Sequence, residues 1–511
     1  MIDAKNYFKE RIAYLFSVFL LGIVVYLPMI THNLTNADGI WNSEHFKASY
    51  VWENALGRFG LRFVGKLIGN YTNASFSVPI SILLIIISAS LICFLFEIKN
   101  KVSFVLALII SLFSLSFVST ISYHYCSIAY FSAFLLSVIC ILLIKYDSKV
   151  NIVFATLSLT ILLSLYQAYI GVSVVLGLFY VLKMILKQEK DVMKFVYKGL
   201  AFGVVGVGLY LIISKNSNLL FNVSIDSGRG FADMGKISLS SLPSLIKNAY
   251  DNSFSFYFND VFVSNSWYFR GFINLVVVLL NIILCVFIII KKEIYKDYIL
   301  SGLFVLIILV LPISLSLMVV VAPLAFDTST TGILMVPQMF LTYVFLFVLI
   351  DTYDFNKVIN IFSKVVLGVI VFTQILYASI FQNYLMNCFN ETYTMANMIL
   401  NKIDYTPDMK IVIQGKLESF YTSESLEHHR YILKGTPVSY GIFWHDYNGQ
   451  ENGWVKFYEN YMSIKFSVVY MDEFEALSKE VNYDKMPSFP SEGSIVKVKD
   501  VVIVKLGENY K

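Results

Sequence analysis

The sequence predicts an all-α polytopic membrane protein of about eleven transmembrane helices, with a small α/β or mainly β domain at its C-terminus on the outer face. Three observations predict it. The 511 residues are 57% hydrophobic and 14% charged, with a mean hydropathy of +0.69, whereas a soluble domain carries about 25% charged residues. Apolar runs of the roughly 17–25 residues that cross a hydrocarbon core recur along the chain. The Lys and Arg residues of the short connections all fall on one side when those runs alternate in direction.

Taken in order, the runs lie near 12–31, 76–96, 102–119, 123–144, 151–166, 168–186, 196–214, 271–290, 298–320, 333–350 and 358–380. The stretch 151–186 is too long for one span at about 1.5 Å per residue. Its most polar interior point, Tyr166 and Gln167, is where it divides. The first run follows Lys5, Lys9 and Arg11, as a signal peptide would, but no small-residue cleavage site follows it, so it reads as a retained helix. Cations gather at the N-terminus, Lys99/Lys101, Lys145/Lys149, 183–198, Lys291/Lys292/Lys296 and Lys357/Lys364, while the connections near Thr120, Gln167 and Phe326 carry none. The positive-inside rule then puts the N-terminus in the cytoplasm and the C-terminus outside.

Three polar pieces result, all outer: 32–75, about 215–270, and a tail from about 385. The membrane domain is 1–384 and the extracytoplasmic domain 385–511. The tail holds 3 of the 6 His, 2 of the 5 Trp and 13 of the 39 cations. Its segments Lys410–Gln414 and 494–506 are rich in β-branched residues, as strands are, and 390–404 reads as helix. The five cysteines include no C-x-x-C pair and four fall in apolar runs, so they read as packing residues, with neither a metal site nor a disulfide framework. The net charge of +4 does not point to nucleic acid.

The stretch 36–66 concentrates the candidate chemistry. It carries Asp38, Glu44 and Glu53, the rings of Trp41, Tyr50 and Trp52, and the cations Arg58, Arg62 and Lys66. Asp38, in N-A-D-G, either starts a turn or caps the next helix, or serves as a general base at the membrane boundary. Residues 44–68 read as one amphipathic helix on the membrane surface, in which Asn54, Arg58, Arg62 and Lys66 share a face. That face either meets lipid headgroups or grips a donor phosphate, for which a guanidinium fork is suited. Glu53 is a second carboxylate or part of a solvated helix face. Trp52 stacks on a sugar or sits in the aromatic belt. Tyr166 and Gln167 bind sugar hydroxyls or satisfy backbone freed at the helix break. His124 is an interfacial ring or an acid–base group. Asp327 faces the same cavity or caps a helix. Arg229 and Arg270 meet phosphate or headgroups. His428 and His429 lack a third ligand at useful spacing and read as surface residues.

Three short pieces carry a resemblance. Asp38 followed by Trp52-Glu53-Asn54-Ala55-Leu56-Gly57-Arg58, then Ser122-Tyr123-His124-Tyr125-Cys126-Ser127, then Leu163-Ser164-Leu165-Tyr166-Gln167-Ala168 resemble elements of the Gtr-type O-antigen glucosyltransferases. These are bacterial membrane enzymes with the C-type glycosyltransferase fold. The likeness covers roughly residues 10–380. It departs where Gly39 stands in place of a second acid and Cys126 where an acid is expected. The resemblance implies transfer of a sugar, glucose first, from a polyprenyl-phosphate carrier to a cell-surface polysaccharide on the outer face. Asp38 would be the base and the anomeric carbon would invert. It also implies a carrier-charging synthase and a small membrane flippase acting upstream. No nucleotide-binding glycine loop and no metal-ligand cluster appears, so neither a cofactor nor an obligatory metal is expected.

Other classes fit less well. A polysaccharide or lipid-linked oligosaccharide flippase should line a path with polar residues inside its spans, and these spans have almost none at their centres. A polymerase should carry more arginine in its large outer loop than Arg229 and Arg270 supply. Nothing in the apolar body points to a receptor or scaffold.

Overall fold

A computed structural model describes residues 3–36, 38–40, 42, 51–70, 72–146, 148–225, 234–235, 237–259, 270–324, 326, 332–407, 409–415 and 453–507. Asp327, Trp41, Glu44, Tyr50, Arg229, His428 and His429 lie outside them.

Each expected apolar run contains a helix. Seven among the described residues are long and apolar enough to cross a membrane: Ala74–Leu95, Ser127–Lys145, Gln167–Lys187, Val192–Leu220, Arg270–Lys291, Tyr298–Leu315 and Lys357–Leu400. The pair Lys101–Leu112 and Leu115–Ile121, bent by 52° at Phe113 and Ser114, is long and apolar enough only when its two helices are taken together, as a broken span or a re-entrant loop. The remaining runs are shorter apolar helices, Ile12–Val25, Lys149–Leu165 and Pro337–Thr352. The division expected between Tyr166 and Gln167 is present: Lys149–Leu165 ends there, Tyr166 is extended, and a 3-10 turn leads into Ile170–Lys187. Helices 74–95, 127–145 and 167–187 are about three-quarters enclosed or nearly so, at 67%, 72% and 78%, while 192–220 and 298–315 are 17% buried. The first three therefore form the centre of the bundle and the last two present apolar side chains to lipid.

The two ends of the bundle differ chemically. At one end Glu97 meets Lys145, Lys187 and Lys183 at 3.3, 3.5 and 3.6 Å. Lys183 also donates to the Phe96 carbonyl at 2.6 Å, Arg11 to that of Lys99 at 2.8 Å, and Lys292 to that of Leu186 at 3.1 Å. Helices starting at this end are capped: Asn100 accepts from the backbone of Val102 and Ser103, Asp297 from Ile299 and Leu300, and Asn356 from Ile359. Such caps satisfy amides that the first helical turn leaves without partners. The cationic connections expected on one side thus do lie together.

Two expectations about the polar pieces change. Residues 215–270 are not simply an outer loop. Helix Val192–Leu220 runs past 214, and Leu242–Phe258 packs into the bundle. There Asn252 donates to the Ser316 hydroxyl at 2.9 Å and Tyr257 to the Met339 carbonyl at 2.7 Å. The second change is at the C-terminal end of the membrane region: Lys357–Leu400 continues unbroken through residue 384 for 44 residues. No proline or glycine interrupts it after Gly368.

Beyond that helix stands an α/β unit. Strands β1 (Lys410–Gln414), β2 (Ile495–Val498) and β3 (Val501–Lys505) form a sheet in the order β1-β3-β2, with β1 parallel and β2 antiparallel to β3. The period of two separates its faces. Ile411, Ile413, Val502 and Val504 pack with Trp454, Phe457, Met395 and Ile399, burying the far end of the long helix and the helix Gly453–Met462. Val412, Val501 and Ile503 pack with Phe474 and Leu477 of Met471–Glu480. Ile40, from the 36–66 stretch, belongs to the first of these clusters.

Candidate active site

The end of the bundle opposite the lysines holds the three motif pieces in contact. Thr35 donates from its hydroxyl to the Ser122 carbonyl at 2.8 Å, and the Asn36 amide to the same oxygen at 3.4 Å. The Asn36 side chain accepts from the Gly39 amide at 2.8 Å and so caps the helical residues 38–40. The cap considered for Asp38 is therefore made by Asn36. Asp38 lies in the first turn of this stretch, half-buried, with its carbonyl accepting from Asn42 at 2.7 Å.

Gly39 has a steric cause. A Cβ there would lie 1.7 Å from the Thr35 hydroxyl oxygen. The fold that docks Thr35 on Ser122 leaves no room for a second acid at this position.

A second carboxylate comes from elsewhere. Glu53 is 8% exposed and not on a solvated face. The Tyr125 phenol is pushed up by burial, then by Cys126, Asp38, Tyr130 and Glu53, which puts both carboxylates within electrostatic reach of one side chain. The Cys126 thiol is raised by burial first and by Glu53 next. Glu53 thus lies within electrostatic reach of Cys126.

The single helix expected over 44–68 is broken among its described residues. Val51–Ala55 ends, Gly57 takes φ 73°, and Leu61–Leu67 restarts the helix. The break separates the cations that a continuous helix would align. Arg58 lies in the turn and points inward: it donates to the Tyr130 hydroxyl at 3.2 Å and sits 4.8 Å from the centre of the Tyr166 ring. Tyr166 and Tyr130 are stacked at 4.1 Å, 8° from parallel. Burial would lower the Arg58 pKa, but Tyr130, Tyr166, Glu53 and Tyr125 outweigh it and raise it, so the guanidinium stays charged. Arg62 instead lies 3.6 Å over Phe221, and Lys66 is exposed. Trp52, Phe63 and Leu67 are exposed beside them, forming an apolar rim.

Gln167 is buried and its amide donates to the Leu56 carbonyl at 2.7 Å and to Tyr210 at 2.9 Å. Tyr210 donates to the Gly57 carbonyl at 3.2 Å. The Gly60 amide donates to the Ser164 carbonyl at 2.9 Å. Gln167 therefore splints the turn that carries Arg58, while Tyr166 forms the wall against which Arg58 lies. Sequence reading missed Tyr130, Tyr210 and Asn36. Tyr210 had only the weak signal of a phenol within an apolar span.

Several buried polar atoms have no hydrogen-bond partner among the described residues: Arg58 Nε, Asn54 Oδ1, both side-chain polar atoms of Asn218, and His124 Nε2. Asn54 is joined to Ser217, the neighbour of Asn218, at 3.3 Å. A buried polar group left so costs about 1–3 kcal/mol, which water or a polar ligand would offset. Burial pushes the His124 pKa down to about 3, so its ring is neutral. The described residues contain no group of three His, Cys, Asp or Glu side chains able to hold a metal ion.

The family model described as Glucosyl transferase GtrII matches residues 27–349, a segment that contains all three motif pieces. Comparison with curated proteins and with solved structures gave no match.

Proposed function

Because the chain belongs to the GtrII glucosyl transferase family over residues 27–349, we propose that it moves a glucosyl unit from a polyprenyl-phosphate carrier to a cell-surface polysaccharide on the outer face of the membrane. The carrying observation is an enclosed guanidinium, Arg58, held on Tyr130 and Tyr166 at the lysine-poor end of the bundle, with the carboxylates of Asp38 and Glu53 within electrostatic reach of the neighbouring Tyr125. In this reading an acceptor hydroxyl oxygen attacks the anomeric carbon from the side opposite the phosphate. The bond from that carbon to the phosphate oxygen breaks, its electron pair stays on the phosphate, and Asp38 takes the hydroxyl proton. One displacement inverts the configuration. Arg58 faces the developing phosphate charge, and its enclosure strengthens that interaction, since charges attract more strongly away from water. Glu53 and the neutral His124 hold sugar hydroxyls. Arg62 and Lys66 meet the phosphate and headgroups of lipids entering along the apolar rim of Trp52, Phe63 and Leu67. Asp327, outside the described residues, is assigned to substrate binding at the same site. The charged Glu97 end faces the cytoplasm.

The test uses membranes containing the wild-type chain or Asp38→Asn, supplied with radiolabelled polyprenyl-phosphate sugars and surface glycan. The expected result is transfer from the glucosyl carrier, lowered about 10²–10⁴-fold by the substitution. Equal transfer by both proteins removes Asp38 from its role, and transport of a carrier-linked glycan without transfer removes the enzyme reading.

A further inference from the structure

A polar cavity lies beside Asp38, between the outer stretch and the C-terminal unit. Its volume is about 140 Å³, and Asn33, Thr35, Gly39, Thr72 and His124 line it from the membrane side. Asn460 and Tyr461, on the helix Gly453–Met462, line it from the other side. The two sides are locked together. Tyr461 donates from its hydroxyl to the Asn33 carbonyl at 2.8 Å, and Ile40 is buried in the core of the C-terminal unit.

Resting on the glycosyltransferase reading above, we propose that this cavity is the subsite for a neutral sugar residue of the acceptor glycan, and that the C-terminal helix Gly453–Met462 completes it. Size is the first argument. A single water needs about 10–15 Å³ of such space, so 140 Å³ holds a polyhydroxylated ring rather than one solvent molecule. Chemistry is the second. Among the described residues the lining presents two amides, two aliphatic hydroxyls, a phenol and an imidazole beside the apolar Ile40, with neither a carboxylate nor a cation. Amides and hydroxyls both donate and accept, as sugar hydroxyls require, whereas these residues offer a phosphate or uronate no counter-charge. Third, the cavity spans two parts of the fold that are already fastened to each other by Tyr461 and Asn33, so its walls are held at a fixed separation. Fourth, Gly39 borders the cavity and is next to Asp38 in the chain. A glycan held here is held beside the base.

The test uses the full chain in lipid nanodiscs, with Asn460→Ala and Thr72→Val as variants. Saturation-transfer NMR with methyl α-glucoside and methyl α-glucuronide as probes reads binding without any donor. The expected result is saturation of the glucoside alone, lost in Asn460→Ala. In transfer assays the acceptor KM should rise about tenfold, one hydrogen bond's worth, while the donor KM moves less than twofold. Equal binding of both probes, or an acceptor KM unchanged in both variants, overturns the subsite. If carrier-linked glucose is not consumed by the wild-type chain although the glucoside binds, the donor assignment fails and the subsite stands.

Discussion

Gly60→Ala tests the junction between the arginine turn and the Tyr166 break. An added Cβ would lie 2.3 Å from the Ser164 hydroxyl oxygen, 2.9 Å from its carbonyl oxygen and 3.0 Å from Leu165 Cδ2. The hydroxyl can rotate away, but the carbonyl is fixed at the end of Lys149–Leu165 and already accepts from the Gly60 amide at 2.9 Å. The turn must therefore retreat by several tenths of an ångström, stretching that bond. Overpacking of this kind costs about 1–3 kcal/mol. Arg58 is two residues away and moves with the turn, leaving the face of Tyr166. A displacement near 1 Å at a reacting site lowers rates by up to about 10²-fold. Thermal unfolding in detergent and glucosyl transfer in membranes measure the two effects. Gly203→Ala is the control: nothing lies within 4 Å of its Cβ position, and alanine in a helix interior is favoured by about 0.5–1 kcal/mol. Adding Ser164→Ala to Gly60→Ala removes the 2.3 Å clash and leaves the 2.9 Å one, so recovery should be partial. A Gly60→Ala protein with the wild-type unfolding midpoint and rate would refute the argument.

Three further outcomes are expected. Gln167→Met keeps the volume but strips the Leu56 carbonyl of its 2.7 Å donor, a loss of about 1–3 kcal/mol; combined with Tyr210→Phe the losses should be non-additive in a thermal-unfolding cycle, because both residues hold the same turn. For Glu97, burial alone would raise the pKa, but Lys183, Lys145 and Lys187 together lower it from 4.5 to about 2; its stabilisation is complete above about pH 4.5 and lost as pH falls toward 2, and Glu97→Gln should flatten that limb in unfolding measured against pH. For His124, burial lowers the pKa from 6.5 to about 3; the unfolded chain takes up a proton first, so stability falls as pH drops below about 6.5, and His124→Gln should be insensitive over the interval from 6.5 to 4.5 where Glu97 does not yet contribute.

Periodicity and charge made the bundle legible, because lipid imposes one simple demand on every span. The break at Tyr166 and Gln167 was visible as polarity inside an apolar run, and the strands at Lys410–Gln414 and 495–505 as β-branched alternation. The interior of the site was less legible. A four-residue spacing aligns Arg58, Arg62 and Lys66 only while the backbone stays helical, and Gly57 ends the first helix at positive φ, its amide donating to the Asn54 carbonyl at 2.9 Å and that of Arg58 to the Glu53 carbonyl at 2.7 Å, while Gln167 and Tyr210 hold the turn from outside. Glu53 beside Trp52 has the local pattern of a wet helix face. It is buried because Val51–Ala55 packs against Val192–Leu220, far along the chain, and because Glu53 lies near Tyr125 and Cys126. Gly39 appeared to be a missing acid, and only the position of Thr35 explains it.

The unbroken helix Lys357–Leu400 is also a ruler and a crankshaft. With about 1.5 Å of rise and about 100° of turn per residue, its sixteen or so residues beyond 384 set the height and the heading of the sheet above the bilayer. One inserted residue would lift that unit by about 1.5 Å and swing it by about 100°, carrying Tyr461 away from Asn33. The length of this rod is therefore part of the specification of the cleft that it helps to close.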